Sequence, residues 1–168
     1  EHENGYAVEV VSPDKPGLLS IVAGVLNISR LDVKSARTKT IGNSAVMNWI
    51  VTPEPHAPEI SQAKLHELIA SALIDSSEVE ERLLTRAAAY ASKPSIPVPP
   101  PVVEIFTEAA TDATVIEVRS HDRPGLLFRI GAAITQSKVD IRSAIVTTLG
   151  AEAIDTLYVT ELTGGPLS

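Results

Sequence analysis

The sequence predicts an α+β chain made of two β-α-β-β-α-β units, the second incomplete. Each antiparallel sheet is expected to carry its helices on one face. Three observations support this: an internal near-copy, the same order of elements in each copy, and enough aliphatic material for packed cores. Residues 8–52 align with 116–160 at an offset of 108 without a gap, and 17 of the 45 pairs are identical. Two copies with so long a period indicate two similar small domains, not a solenoid. At 168 residues the chain has room for two such domains. Its 44% apolar content includes few aromatics, so the core must be aliphatic.

Each copy opens on alternating apolar and polar residues, over 6–12 and 114–120, the period of a half-buried strand. A turn follows, Ser12-Pro13-Asp14-Lys15-Pro16-Gly17 in one copy and Ser120-His121-Asp122-Arg123-Pro124-Gly125 in the other. Apolar residues at 18, 22, 25 and 26, and at 126, 130, 133 and 134, then share one helix face. Pro16 and Pro124 suit a first helical turn, and Asp14 and Asp122 lie where they could cap it. Strands over 32–41 and 44–52, and over 140–149 and 152–160, join through Gly42-Asn43 and Gly150-Ala151 hairpins.

The first copy continues with a helix over 61–73, acidic residues that read as a solvated face, and a further helix over 78–90. Pro94, Pro97, Pro99, Pro100 and Pro101 form a stiff spacer. A short strand over 102–107 closes the first unit, although it could pair with either one. The domains are therefore 1–107, with a Pro-rich linker at 91–101 before the last strand, and 108–168, truncated after the third strand. The resulting order is the ferredoxin-like arrangement. The chain lacks an initial Met and becomes strand-like almost at once, which reads as a fragment or a processed chain.

Composition narrows the function. With 21 acidic and 14 basic residues the net charge is −7, against a nucleic-acid partner, which needs dense Lys/Arg. No apolar run is long enough to span a membrane. The absence of Cys excludes disulfides and thiolate chemistry and fits a reducing cytoplasm. His2, His56, His66 and His121 show no metal-ligand spacing, and no nucleophile or phosphate-loop motif occurs, so neither catalytic residues nor a metal or cofactor site is expected.

The repeated turn is the informative site. A strand end, a glycine and a helix N-terminus expose N–H groups that have no intrahelical partner. These can hold a carboxylate, while Asp14 or Asp122 takes an ammonium group. The pair is complementary to a free amino acid. The competing reading is a simple helix-start signature. Repetition of the whole unit favours ligand binding.

The pattern D-[KR]-P-G-L-L in a β-α-β-β-α-β unit resembles the ACT domain. The resemblance implies a small amino-acid-sensing module that pairs side by side and binds its ligand between units. VIEVRSHDRPGLLFRIGAAI, DIRSAIVTTLGAEAIDTLYVT and the linker VPPPVVEIF are most similar to the C-terminal tandem ACT region of the protein-PII uridylyltransferase/uridylyl-removing family. In that family the region senses glutamine and sets the balance between modifying and demodifying PII; some relatives use adenylyl groups. The resemblance implies that this chain is the sensor and that the rest of the parent enzyme precedes it. It also implies ligand loops at Asp14, Lys15, Pro16, Gly17 and Leu18, and at Asp122, Arg123, Pro124, Gly125 and Leu126. Asn27 is expected to reach across a unit interface, formed in cis or in a homodimer. The alternatives are a ligand-free oligomerisation module and an ACT regulator of another amino-acid pathway.

Overall fold

The computed structural model describes residues 5–93 and 96–168. The elements are β1 (Tyr6–Pro13), α1 (Leu18–Ile28), β2 (Leu31–Ile41), β3 (Ser44–Pro53), α2 (Gln62–Ile74) and α3 (Ser77–Ala91), then β4 (Val102–Phe106), β5 (Thr114–His121), α4 (Leu126–Gln136), β6 (Val139–Leu149) and β7 (Glu152–Glu161). Both copies therefore fold as their shared pattern predicts. The backbone repeats as well: α1 and α4 are followed by Arg30 and Lys138, 108 apart, with φ of 60° and 59°.

The strands form one antiparallel sheet in the order β1-β3-β2-β6-β7-β5-β4. The two units join edge to edge through β2 and β6, with Ser35–Lys39 against Thr147–Ser143. Arg37 pairs with Ile145, its own equivalent 108 residues on, so a pseudo-twofold axis passes through this ladder. The helices obey the same axis. Ser20 Oγ donates to the carbonyl of Phe128, again its equivalent, at 2.8 Å. A Cβ on Gly131 would lie 3.0 Å from Ser20 Cβ and 3.3 Å from its Cα, so glycine lets α1 and α4 cross closely. A continuous apolar core follows, with Trp49 and Leu26 of the first copy and Leu157 and Val159 of the second all buried.

The strand at 102–107, expected to close the first unit, instead pairs with β5; Ile105 faces Ile116. The physical reason is distance. The first unit's free edge, β1, lies at the far end of the sheet, six strand spacings or roughly 30 Å away. The short connection 107–113 makes the β5 edge a local hairpin partner. β4 thus extends the second unit's sheet. Pro94 of the spacer lies outside the described residues.

The second correction concerns the helix starts. Gly17 and Gly125 are the N-caps, at φ 84° and 75°, and neither helix has a side-chain cap. Pro16 and Pro124 stand before the cap, and the two Asp side chains are left for other work. The left-handed φ explains the glycines, because an L side chain is strained there.

Candidate functional site: an interface cleft beside the second loop

Each loop faces the far end of the other unit's helix across the pseudo-twofold axis, which produces two equivalent clefts. Beside the second loop, Asp122–Leu126 meets Ala23 and Asn27 of α1 and Asp32 and Val33 of β2 around a space of about 250 Å³. Beside the first loop, Asp14, Lys15, Gly17 and Leu18 meet Thr135 of α4 and Asp140 and Ile141 of β6 around about 20 Å³. The cleft beside the second loop has room for an amino acid, whereas the one beside the first loop holds about one water.

The first cleft is closed by its own side chains. Thr40 Oγ1 donates to Asp14 Oδ2 at 3.1 Å, and Lys15 Nζ donates to the Leu73 carbonyl at 2.6 Å. Gly17 has Thr135 Cγ2 3.8 Å from where its Cβ would stand. Leu18 is buried core, Pro16 is exposed, and Met47 lines the base. Burial, and then the charge of Asp14, holds the Asp140 carboxyl above its ordinary pKa.

Both loops present donors in the same pattern: in the first, Gly17, Leu19 and Ser20 N–H have no backbone acceptor among the described residues, and the second repeats this. Asp122 N–H is tied to the Ala151 carbonyl at 2.8 Å and Leu126 N–H to Arg123 at 3.1 Å, while Gly125, Leu127 and Phe128 N–H have no backbone acceptor among the described residues. With the helix dipole behind them, these groups suit a carboxylate. The open cleft differs in two ways. First, α3 walls it. Arg86 Nε donates to Asn27 Oδ1 at 3.0 Å, and its Nη2 pairs with Glu54 Oε1. Tyr90 Oη lies 3.3 Å from His121 Nε2. Leu83 approaches Gly24 and Gly125. Second, Asp155 stands where the first copy has Met47, and its Oδ1 has no hydrogen-bond partner although the residue is 1% exposed.

The electrostatics are anionic. Asp32, Glu54, Asp122 and Asp155 line the cleft, with Arg123 opposed. Burial, then the charge of Asp32, raises the Asp122 pKa, and Lys34 partly opposes this. Burial, reinforced by Asp122, pushes Asp155 up to about 7. No group of acidic and His residues among those described is placed to hold a metal ion.

The structure thus brings Asp122, Arg123, Pro124, Gly125, Leu126 and Asn27 to one cleft. It leaves Asp14, Lys15, Gly17 and Leu18 around a nearly filled one, with Pro16 exposed outside its lining. Sequence reasoning missed Asp155 and Arg86. Asp155 has a signal: in the aligned copies it is a carboxylate opposite an apolar strand residue, Met47. Arg86 has none, because its contacts are 59 and 32 residues away.

The ACT domain model matches residues 114–166. The bifunctional uridylyltransferase/uridylyl-removing enzyme of Streptomyces coelicolor is 38% identical over 97% of this chain and 20% of its own length. Those of Erythrobacter litoralis and Azospirillum brasilense are each 33% identical, over 100% and 94% of the chain and 19% and 17% of their own lengths. The chain spans about a fifth of the length of these curated relatives, and the match falls in their C-terminal region. Among the described residues no helix is long and apolar enough to cross a membrane.

Proposed function

The chain carries an ACT domain at residues 114–166 and resembles the C-terminal region of uridylyltransferase/uridylyl-removing enzymes, and on that premise we propose that it is a glutamine-sensing region controlling modification of the PII nitrogen-signalling protein. One observation carries the sensing role: the cleft between the units, with unpaired N–H donors at one side and carboxylates at the other. A free amino acid offers the complementary pair of charges. The name of the relatives supports the choice of a nucleotidyl-transferring parent enzyme. The preference for glutamine rests on the family resemblance, and Asn27 and Arg86 near the cleft suit a carboxamide side chain.

Signalling follows from where the ligand sits. The cleft is walled by α1 and β2 of one unit, the loop of the other, and α3. Its occupant touches all of them. A ligand that binds one relative arrangement better than another shifts the balance between them, and only that differential affinity transmits a signal. A coupling of about 1–3 kcal/mol is sufficient.

Calorimetric titration with glutamine, glutamate, serine, leucine and phenylalanine is the test. Saturable binding of glutamine alone is expected. Preference for another amino acid would preserve a sensor and discard the nitrogen-signalling assignment. The oligomerisation reading has its own observation: β4 is an edge strand whose Val103 and Ile105 are 58% and 61% exposed. Light scattering showing amino-acid-independent association, without ligand binding, would favour it.

A further inference from the structure

We propose that Asp155 is the specificity residue of the open cleft: from its base it pairs with the α-ammonium group of the bound amino acid, so that the site rejects ligands lacking that group. The inference rests on the amino-acid-sensing reading and adds to it the residue that reads the amine.

Three observations converge. The carboxylate is 1% exposed and Oδ1 is unpaired, although β7 projects it towards the cleft that it lines. A buried carboxylate without a partner is costly, and an incoming cation relieves that cost. The equivalent cleft, which has Met47 at the same position, has almost no space and lacks a buried acid at its base. Finally, the cleft combines the N–H donors of the loop with the carboxylates of Asp32 and Asp155 from β2 and β7, the two kinds of group a zwitterion needs.

The charged surroundings define the pH behaviour. Asp122, Arg123 and His121 flank the loop side, and Asp32 and Lys34 come from β2. Glu54 follows β3, while Arg86 and Tyr90 belong to α3. The strands on either side place Val118 and Val146 opposite Asp155, so they add no charge. Burial and Asp122 hold Asp155 partly protonated near neutrality. An arriving ammonium favours the ionised form and lowers its pKa. Binding therefore releases the Asp155 proton to solvent, and affinity strengthens as pH rises through about 7.

The experiment compares the wild-type chain with Asp155→Asn and Asp155→Met. The probes are glutamine and glutaramic acid, which is glutamine without its α-ammonium group. The wild type should bind glutamine and not glutaramic acid. Its affinity should increase between pH 6 and pH 8, with proton release detected by calorimetry in two buffers of different ionisation enthalpy. Both variants should bind glutamine at least about tenfold more weakly and lose most of the proton release, while their melts show an intact fold. Asp155→Met reproduces the residue of the first copy, so it is a fold-compatible control. Glutamine binding by the wild type that both variants retain unchanged would overturn this assignment alone. Equal affinity for glutaramic acid would do the same. A wild type that binds no amino acid would overturn the sensing reading together with it.

Discussion

Asp155→Met is expected to make the ligand-free chain more stable at pH 8 and to leave it little changed at pH 4. The folded-state pKa of Asp155 is raised from 3.8 to about 7. Below pH 4 the carboxyl is protonated in both the folded and unfolded chains and contributes nothing. Between pH 4 and pH 7 the unfolded chain ionises first, so stability falls as pH rises. Above pH 7 both are ionised, and the native state bears the whole penalty, roughly 4 kcal/mol for a shift of this size. Methionine at this position removes that term. Asp122 and Asp140 are raised too, so a shallower slope of the same sign should persist. Urea unfolding followed by circular dichroism at both pH values reads the difference. Identical pH profiles for the wild type and the variant would show that the buried carboxylate is not held out of water as described.

Leu157→Ala should cost about 2–5 kcal/mol, and the loss should be visible from the other half of the molecule. Leu157 is 0% exposed on β7 in the second copy. Trp49, the single tryptophan, occupies the equivalent position in the first copy and is 1% exposed. The two share one apolar core, joined by the β2–β6 ladder and the close crossing of α1 with α4. Cutting the core in one unit therefore weakens both, and unfolding should be a single transition. Trp49 fluorescence and circular dichroism should shift together to lower urea. An unmoved fluorescence transition beside a shifted dichroism transition would mean that the units unfold independently.

Much of this architecture was legible because the chain states it twice. Alternation over 6–12 and 114–120, the glycine hairpins and the apolar spacing after Gly17 and Gly125 each specify local structure through local physics. Pairing one copy with the other in cis was among the expected arrangements. Most of the missed features are long-range. The strand after the Pro-rich spacer chooses its edge by distance across a sheet that is not visible in sequence. Helix α3 was expected, but not its position over the second loop, where Arg86 reaches Asn27 and Glu54. The glycine caps were half read: the glycines were noticed for their lack of side chains, yet their left-handed φ displaced Asp14 and Asp122 from the capping role.

The candidate site was legible as a repeated motif, whereas the difference between its two copies was not. Two D-[KR]-P-G-L-L loops look equivalent in sequence. What separates them lies elsewhere: Thr135 in place of Asn27, Met47 in place of Asp155, and Lys15 tied to the end of α2. Those differences turn one member of a symmetric pair into a cleft and leave the other nearly filled.

The central claim is that one loop, and not its twin, holds the amino acid. The direct measurement is the stoichiometry of glutamine binding for the wild type, Gly17→Asp and Gly125→Asp. One molecule per chain is predicted, lost in Gly125→Asp, where a carboxylate displaces the ligand's own from the N–H donors, and retained in Gly17→Asp. Two equivalent molecules per chain, or binding that survives in Gly125→Asp and disappears in Gly17→Asp, would contradict it.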